Sequence, residues 1–185
     1  MRKPTKSFKF PRPYIIRFIQ EESCFDLQFR RDIKTTRPGK PVYYTWKAQF
    51  IIQAPKDKLP ILEQIHRLLR AGAIHTLHNV ARYSVQDLES LRENIVSFFE
   101  QHSLEDQKRR KDFELWADAV IILYRNKNDN NAKKGTRGFT RTQWKKKDFQ
   151  RLLDILQNIQ PYKAKRKNDL KWLEEAQLFA KTLRA

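Results

Sequence analysis

The chain has 185 residues, enough for one domain with a sizeable core, and its 39 Lys and Arg against 21 Asp and Glu leave a net charge of +18. Such a surplus implies a polyanionic partner, nucleic acid first and an anionic membrane surface second. One cysteine, Cys24, excludes an intrachain disulfide and a cysteine zinc cluster, and four glycines leave no phosphate-binding glycine loop.

Residues 1–12 hold five basic residues and no acid, a pattern that suits either a free tail or an arm on phosphates. The basic start is followed by no apolar signal region, so secretion is not expected. No apolar run of about 18 residues exists to span a membrane.

Pro13 opens a helix over 13–22, because its missing N–H is not needed in the first turn. Ile15, Ile16, Phe18 and Ile19 form its apolar face, and Glu21 and Glu22 end it. Carboxylates at a helix C-terminus meet partial negative charge, which a divalent cation would relieve. Plain solvation of both is the other reading, since exposed Glu is the default.

A strand follows over 24–33, with Phe25, Leu27, Phe29 and Ile33 on its core face. Asp26, Gln28, Arg30 and Asp32 lie on the other, either as a solvated sheet face or as side chains for base edges in a major groove. Residues 35–41 are a turn by their Pro and Gly content. The second strand, over 42–53, is rich in aromatic and β-branched residues. With Phe50 and Ile52 in the core, Thr45, Lys47, Gln49, Ile51 and Gln53 share the opposite face.

Leu59, Leu62, Ile65 and Leu69 mark an amphipathic helix over 58–70, with Gly72 as its expected stop. A hairpin is expected from strands 73–77 and 80–85, turning at His78 and Asn79. His75, Arg82 and Ser84 would share its polar face. Another amphipathic helix covers 86–101. Lys108-Arg109-Arg110-Lys111 then opens a helix carrying Phe113, Leu115, Trp116, Ala119, Val120, Ile122 and Leu123. Residues 126–138 read as a polar loop. Thr140 is a suitable N-cap for a helix over 141–157, which carries Lys145, Lys146 and Lys147. From Arg125 to Lys147 nine basic residues face one acid, Asp129, which suits phosphate contact. A last helix covers 169–183.

Ile15 to Ser23 resembles the signature helix of LAGLIDADG homing endonucleases, with Cys24 and Phe25 continuing into the first strand. The helix–strand–strand–helix–strand–strand–helix order and the segment Lys108 to Trp116 carry the resemblance on, over roughly 14–160. It implies an α+β, LAGLIDADG-like αββαββα fold with a curved antiparallel β-sheet saddle and extra C-terminal helices. The divisions expected are a basic arm 1–12, a domain 13–160 and a basic helical extension 161–185.

By resemblance, Glu22 is the metal-binding acid, with Glu21 beside it, and Mg²⁺ is the implied cofactor. Lys108 or Arg109 would stabilise the transition-state charge, with Lys58 a weaker candidate. Asp26, Gln28, Arg30, Asp32, His75, Arg82 and Ser84 match base-contact positions, with Lys47, Gln49 and Gln53 added from the second strand. The family's helix glycine is Arg17 here, the glycine after the acid is Ser23, and Glu21 stands where a small residue is usual.

Only one signature helix is present. The resemblance therefore implies a homodimer through residues 14–22, with Ile16, Arg17, Gln20 and Glu21 at the interface. The implied activity is Mg²⁺-dependent double-strand cleavage of double-stranded DNA by an intron-encoded enzyme. The alternative is a catalytically degenerate relative that binds structured RNA or rRNA, as a splicing maturase or ribosome-associated factor. Its expected place is an organelle (mitochondrion or chloroplast) if organelle-encoded, and otherwise the cytoplasm.

Overall fold

The computed structural model describes residues 10–33, 36, 38–39, 42–132, 144–159 and 167–183; side chains are described for these except 31–33, 42–44, 130–132 and 167–172. The elements in order are α1 (Arg12–Glu22), β1 (Ser23–Ile33), β2 (Val42–Pro55), a 3₁₀ turn (Lys56–Lys58), α2 (Leu59–Leu69), β3 (Ala73–Leu77) and β4 (Val80–Val85). Three consecutive helical segments follow, Leu88–Ser90, the π-helical Leu91–Val96 and Ser97–Gln101, together termed α3. Then come α4 (Gln107–Ala132), α5 (Lys146–Asn158) and α6 (Lys167–Thr182). The strands form an antiparallel sheet in the order β1-β2-β4-β3. This is the expected αββαββα order with helices added at the C-terminal end.

By packing, the chain divides into two compact units. The first holds α1, the second half of β2, α2, β3, β4 and α3. The second holds β1 from Phe25 on, the first half of β2, and α4 to α6.

In the first unit, β2 alternates as its sequence requires: Phe50, Ile52 and Ala54 are buried opposite Val85, Tyr83 and Ala81 of β4. Ile15 and Ile19 of α1, and Ile61, Leu62, Ile65 and Leu69 of α2, are buried as well. Burying a side chain of this size contributes about 1.5–3 kcal/mol. Phe10 N–H donates to Gln64 Oε1 at 3.0 Å, which ties the start of α1 to α2.

Gly72 is not the stop of α2. Arg70 takes the left-handed conformation there, with φ 51°, and its N–H donates to His66 O. Gly72 has a different reason to be glycine: a Cβ would lie 2.5 Å from Ser84 O, so the chain could not pass β4 so closely. The Tyr83 hydroxyl donates to Ala71 O at 2.7 Å and fixes this same connection. Burial pushes the Tyr83 phenol above its ordinary pKa.

In the second unit, β1 packs Phe25 against Phe113 and Trp116 of α4, with ring centroids 5.4 and 5.2 Å apart. The Trp116 indole N–H donates to Asp26 O at 3.3 Å. Phe149 of α5 is the centre of a second cluster, in contact with Phe29, Trp46, Trp144 and Phe179. Among the described residues, ion pairs join α4 to the α5 region: Arg125 with Asp148, Arg151 with Asp118, and Lys145 with Asp129.

Three boundaries differ from expectation. The helix after β4 begins at Leu88, because the Asp87 carboxylate caps it by accepting from the Ser90 N–H at 3.0 Å. The polar run from Asn126 is helical as far as Ala132, because α4 is carried through it by packing on buried residues up to Asn126. Trp144 and Lys145 precede α5, which starts at Lys146, while the expected cap Thr140 lies outside the described residues.

Candidate nucleic-acid interface and carboxylate site

The acid pair at the end of α1 is chemically split. Glu21 Oε1 accepts from Arg17 Nε at 2.7 Å, so one charge of the pair is answered within the helix. The Glu21 hydrogen bond and charge raise the Arg17 guanidinium above its ordinary pKa. Glu22 is the last residue of α1, is exposed, and has no basic residue in the same turn. The next N–H, from Ser23, donates to Ile19 O and closes the helix. Glu22 therefore offers hard carboxylate oxygens at a helix end where partial negative charge gathers, the kind of donor a divalent cation takes. Among the described residues no group of three or more His, Cys, Asp or Glu could hold a metal.

On the flank of α1, Gln20 Nε2 donates to Ser103 O at 2.8 Å and to His102 O at 3.4 Å. Gln20 thus secures α1 to the segment after α3, and Ile16 beside it is half-buried.

The sheet's polar face in the first unit comes from register. Gln53 of β2 lies opposite Arg82 of β4, which lies opposite His75 of β3, so the three form one row across the sheet. The neighbouring row is Ile51, Ser84 and Ala73. Arg82 Nη2 reaches Gln49 Oε1 at 3.5 Å, which takes the side chain over the Ile51–Ser84 pair. Ile51 is fully buried on this otherwise polar face, and Gln49 and Ser84 are buried with it. The strand period predicted a common face for His75, Arg82 and Ser84 and another for Gln49, Ile51 and Gln53; it gave no sign that Arg82 reaches Gln49 across Ile51.

In the second unit the expected solvated face of β1 is a correction. Asp26 and Gln28 are only 4% and 7% exposed, while Arg30 is exposed. Gln28 Nε2 donates to Asp26 Oδ2, and Gln28 Oε1 accepts from Arg30 Nε and Nη2 at 2.9 and 2.7 Å. Alternation told which side these residues point to, but their partners, not the period, decide burial. The Asp32 side chain lies outside those described. Lys47 is half-buried.

Lys108 is exposed and Arg109 half-buried in the first turn of α4. That turn is capped by Asp106, whose Oδ1 accepts from Arg109 N–H at 2.7 Å. Sequence reading overlooked this cap, although Asp two residues before a charged helical run is a recognisable signal. Lys108 to Lys111 place four cations where the helix already carries partial positive charge, an arrangement that an anion would stabilise. Lys58 is exposed just before α2. Lys145 and Lys147 are exposed at the start of α5, Lys146 is half-buried, and Lys145 pairs with Asp129 at 3.5 Å. Ile16, Arg17, Gln20, Glu21, Glu22, Gln49, Gln53, Lys58, His75, Arg82 and Ser84 belong to the first unit; Asp26, Gln28, Arg30, Asp32, Lys47, Lys108, Arg109, Lys145, Lys146 and Lys147 belong to the second. No helix among the described residues is long and apolar enough to cross a membrane.

Comparison with known proteins agrees with this order of elements. The LAGLIDADG endonuclease family model matches residues 18–120, more than half of the chain. The homing endonuclease I-TnaI superposes with a TM-score of 0.66 at 18% identity, over 91% of this chain and 99% of that one. I-SmaMI bound to cleaved DNA gives 0.65 at 15% identity, over 91% of this chain. The meganuclease I-CpaMI bound to uncleaved DNA gives 0.59 at 18%, also over 91%. This chain spans about half the length of the latter two, 49% and 50%. At these identities the likeness is one of fold. No curated protein sequence matches significantly. The family match, which runs from Phe18 near the end of α1 through both hairpins, together with the shared fold, makes this chain a member of the LAGLIDADG endonuclease family.

Proposed function

We propose that the chain is a homing endonuclease that binds double-stranded DNA in a sequence-specific manner and cleaves both strands with Mg²⁺, acting as a homodimer through α1. The observation that carries this reading is Glu22, an exposed carboxylate ending the signature helix of a member of this family. Two copies would bring two such carboxylates to a shared centre. Mg²⁺ held there would supply Lewis-acid activation of the attacking water and of the leaving oxygen. The chain's own part is to hold and orient: Glu22 as ligand, and Lys108 or Arg109 as cations for the charge that develops on the phosphate. The polar sheet faces, with Arg30, Gln53, His75 and Arg82, read the bases. Residues 1–12, Lys145 to Lys147 and the extension 161–185 add phosphate contacts. DNA bound to I-SmaMI and I-CpaMI supports the choice of nucleic acid.

The exposed Arg17–Glu21 pair favours a second reading. It stands on α1 where close helix approach calls for small residues, so a non-cleaving relative that binds structured RNA is the competing function. Incubation of the full chain with a plasmid library and Mg²⁺ separates the two. Discrete double-strand cuts support the endonuclease. No cut, with structured RNA bound more tightly than the plasmid DNA in a parallel titration, supports the second reading, and absence of binding to either nucleic acid overturns both.

A further inference from the structure

Asp26, Gln28 and Arg30 alternate along β1, so all three stand on one face of the strand. Their chemistry leaves one polarity for the chain of hydrogen bonds. An ionised carboxylate only accepts, and a guanidinium only donates. Gln28 between them must turn its NH₂ to Asp26 and its oxygen to Arg30, which is the arrangement observed.

This arrangement removes Gln28 as a base reader. A glutamine that reads adenine uses its oxygen and its NH₂ together. Here Oε1 already accepts two N–H groups, and the residue is only 7% exposed. Asp26, at 4% exposure, is closed to DNA as well. Arg30 is the opposite case. Nε and one N–H of Nη2 go to Gln28, which leaves the terminal edge, Nη1 with the second N–H of Nη2, pointing away from the relay. Two parallel N–H groups on one edge match O6 and N7 of guanine.

We infer that Arg30 is a guanine-specifying residue, and that buried Asp26 and Gln28 are positioning residues that aim its terminal edge. This rests on the DNA-binding reading above. The relay fixes the rotamer of a long side chain before DNA arrives, so less ordering entropy is lost on binding.

The test selects bound sites from a randomised duplex pool with the full chain, then measures affinity for the enriched site. The expected site contains a guanine whose preference falls about 10-fold or more in Arg30→Ala. Replacing that guanine by 7-deazaguanine, which lacks N7, should cost the unmodified protein a similar factor. Asp26→Asn should weaken preference at the same position and at no other. An asparagine donates as well as accepts, so Gln28 can flip and present NH₂ to a guanidinium that cannot accept it. A merely structural role would instead lower affinity for all sequences. Thermal melting checks that Asp26→Asn is folded, and the exposed Arg30 and the 7-deazaguanine arm do not depend on it.

An enriched site whose base preferences survive both Arg30→Ala and 7-deazaguanine overturns the inference and leaves the DNA reading intact. Uniform loss in Arg30→Ala with no effect of 7-deazaguanine places Arg30 on a phosphate and also overturns it. A pool from which nothing is enriched overturns the sequence-specific reading itself.

Discussion

Arg17 Nε lies 2.7 Å from Glu21 Oε1, one turn along the same helix, and both side chains are exposed. The pair is closed within one chain, so it does not require a partner's charge. Bringing two such helices together would desolvate both ions, which is costly even when they stay paired. The homodimer should sediment at about twice the 22.3 kDa chain mass at micromolar concentration. Arg17→Gly with Glu21→Gly should tighten the dimer and raise cutting, while lowering the melting temperature through the flexibility of glycine in a helix. A strict monomer, on DNA as well as off it, would remove the shared two-carboxylate centre.

Glu22→Gln keeps size and hydrogen bonding but removes the charge a hard cation needs. Mg²⁺-dependent cleavage should fall to background, with DNA affinity within about twofold of wild type. Equal cutting by the two proteins would end the assignment of Glu22 as the metal carboxylate.

The net charge of +18 should make binding steeply dependent on salt. For six contacted phosphates, affinity falls about 10³-fold between 50 and 200 mM salt. Changing Lys145, Lys146 and Lys147 to Ala should weaken all sequences alike and flatten the salt slope, because phosphate contacts carry no sequence information. The Lys145 effect should be the smallest of the three, since Asp129 already neutralises part of its charge. Titrations at several salt concentrations measure both effects.

Tyr83 makes stability fall at alkaline pH. Burial holds its phenol above the ordinary value of about 10, so the folded state favours the protonated form. Its contribution is fully present below about pH 10 and is lost as pH rises from there through the folded value, because the unfolded chain ionises first. Tyr83→Phe should cost about 1 kcal/mol at neutral pH through the lost hydrogen bond to Ala71 O, and should flatten that alkaline loss. Urea unfolding at pH 8 and pH 10.5 compares the two proteins.

The sequence by itself determined the order of the elements. A proline-led apolar helix ending in two acids, two strand pairs and the helices after them follow from period and turn residues alone. The same period placed His75 and Arg82 on one hairpin face and Gln53 on the polar face of β2, and register then set the three in one row. Tertiary structure decided the rest. Asp26 and Gln28 look like solvated residues because they alternate with Phe25, Leu27 and Phe29, yet both are buried. Arg82 lies over Ile51, Gln20 holds the carbonyls after α3, and Arg70, not Gly72, turns the chain out of α2. Periodicity is a property of neighbouring residues, and it says which side of an element a side chain occupies. What covers that side depends on partners in side-chain hydrogen bonds and on elements far along the chain, and these meet only when the chain is folded.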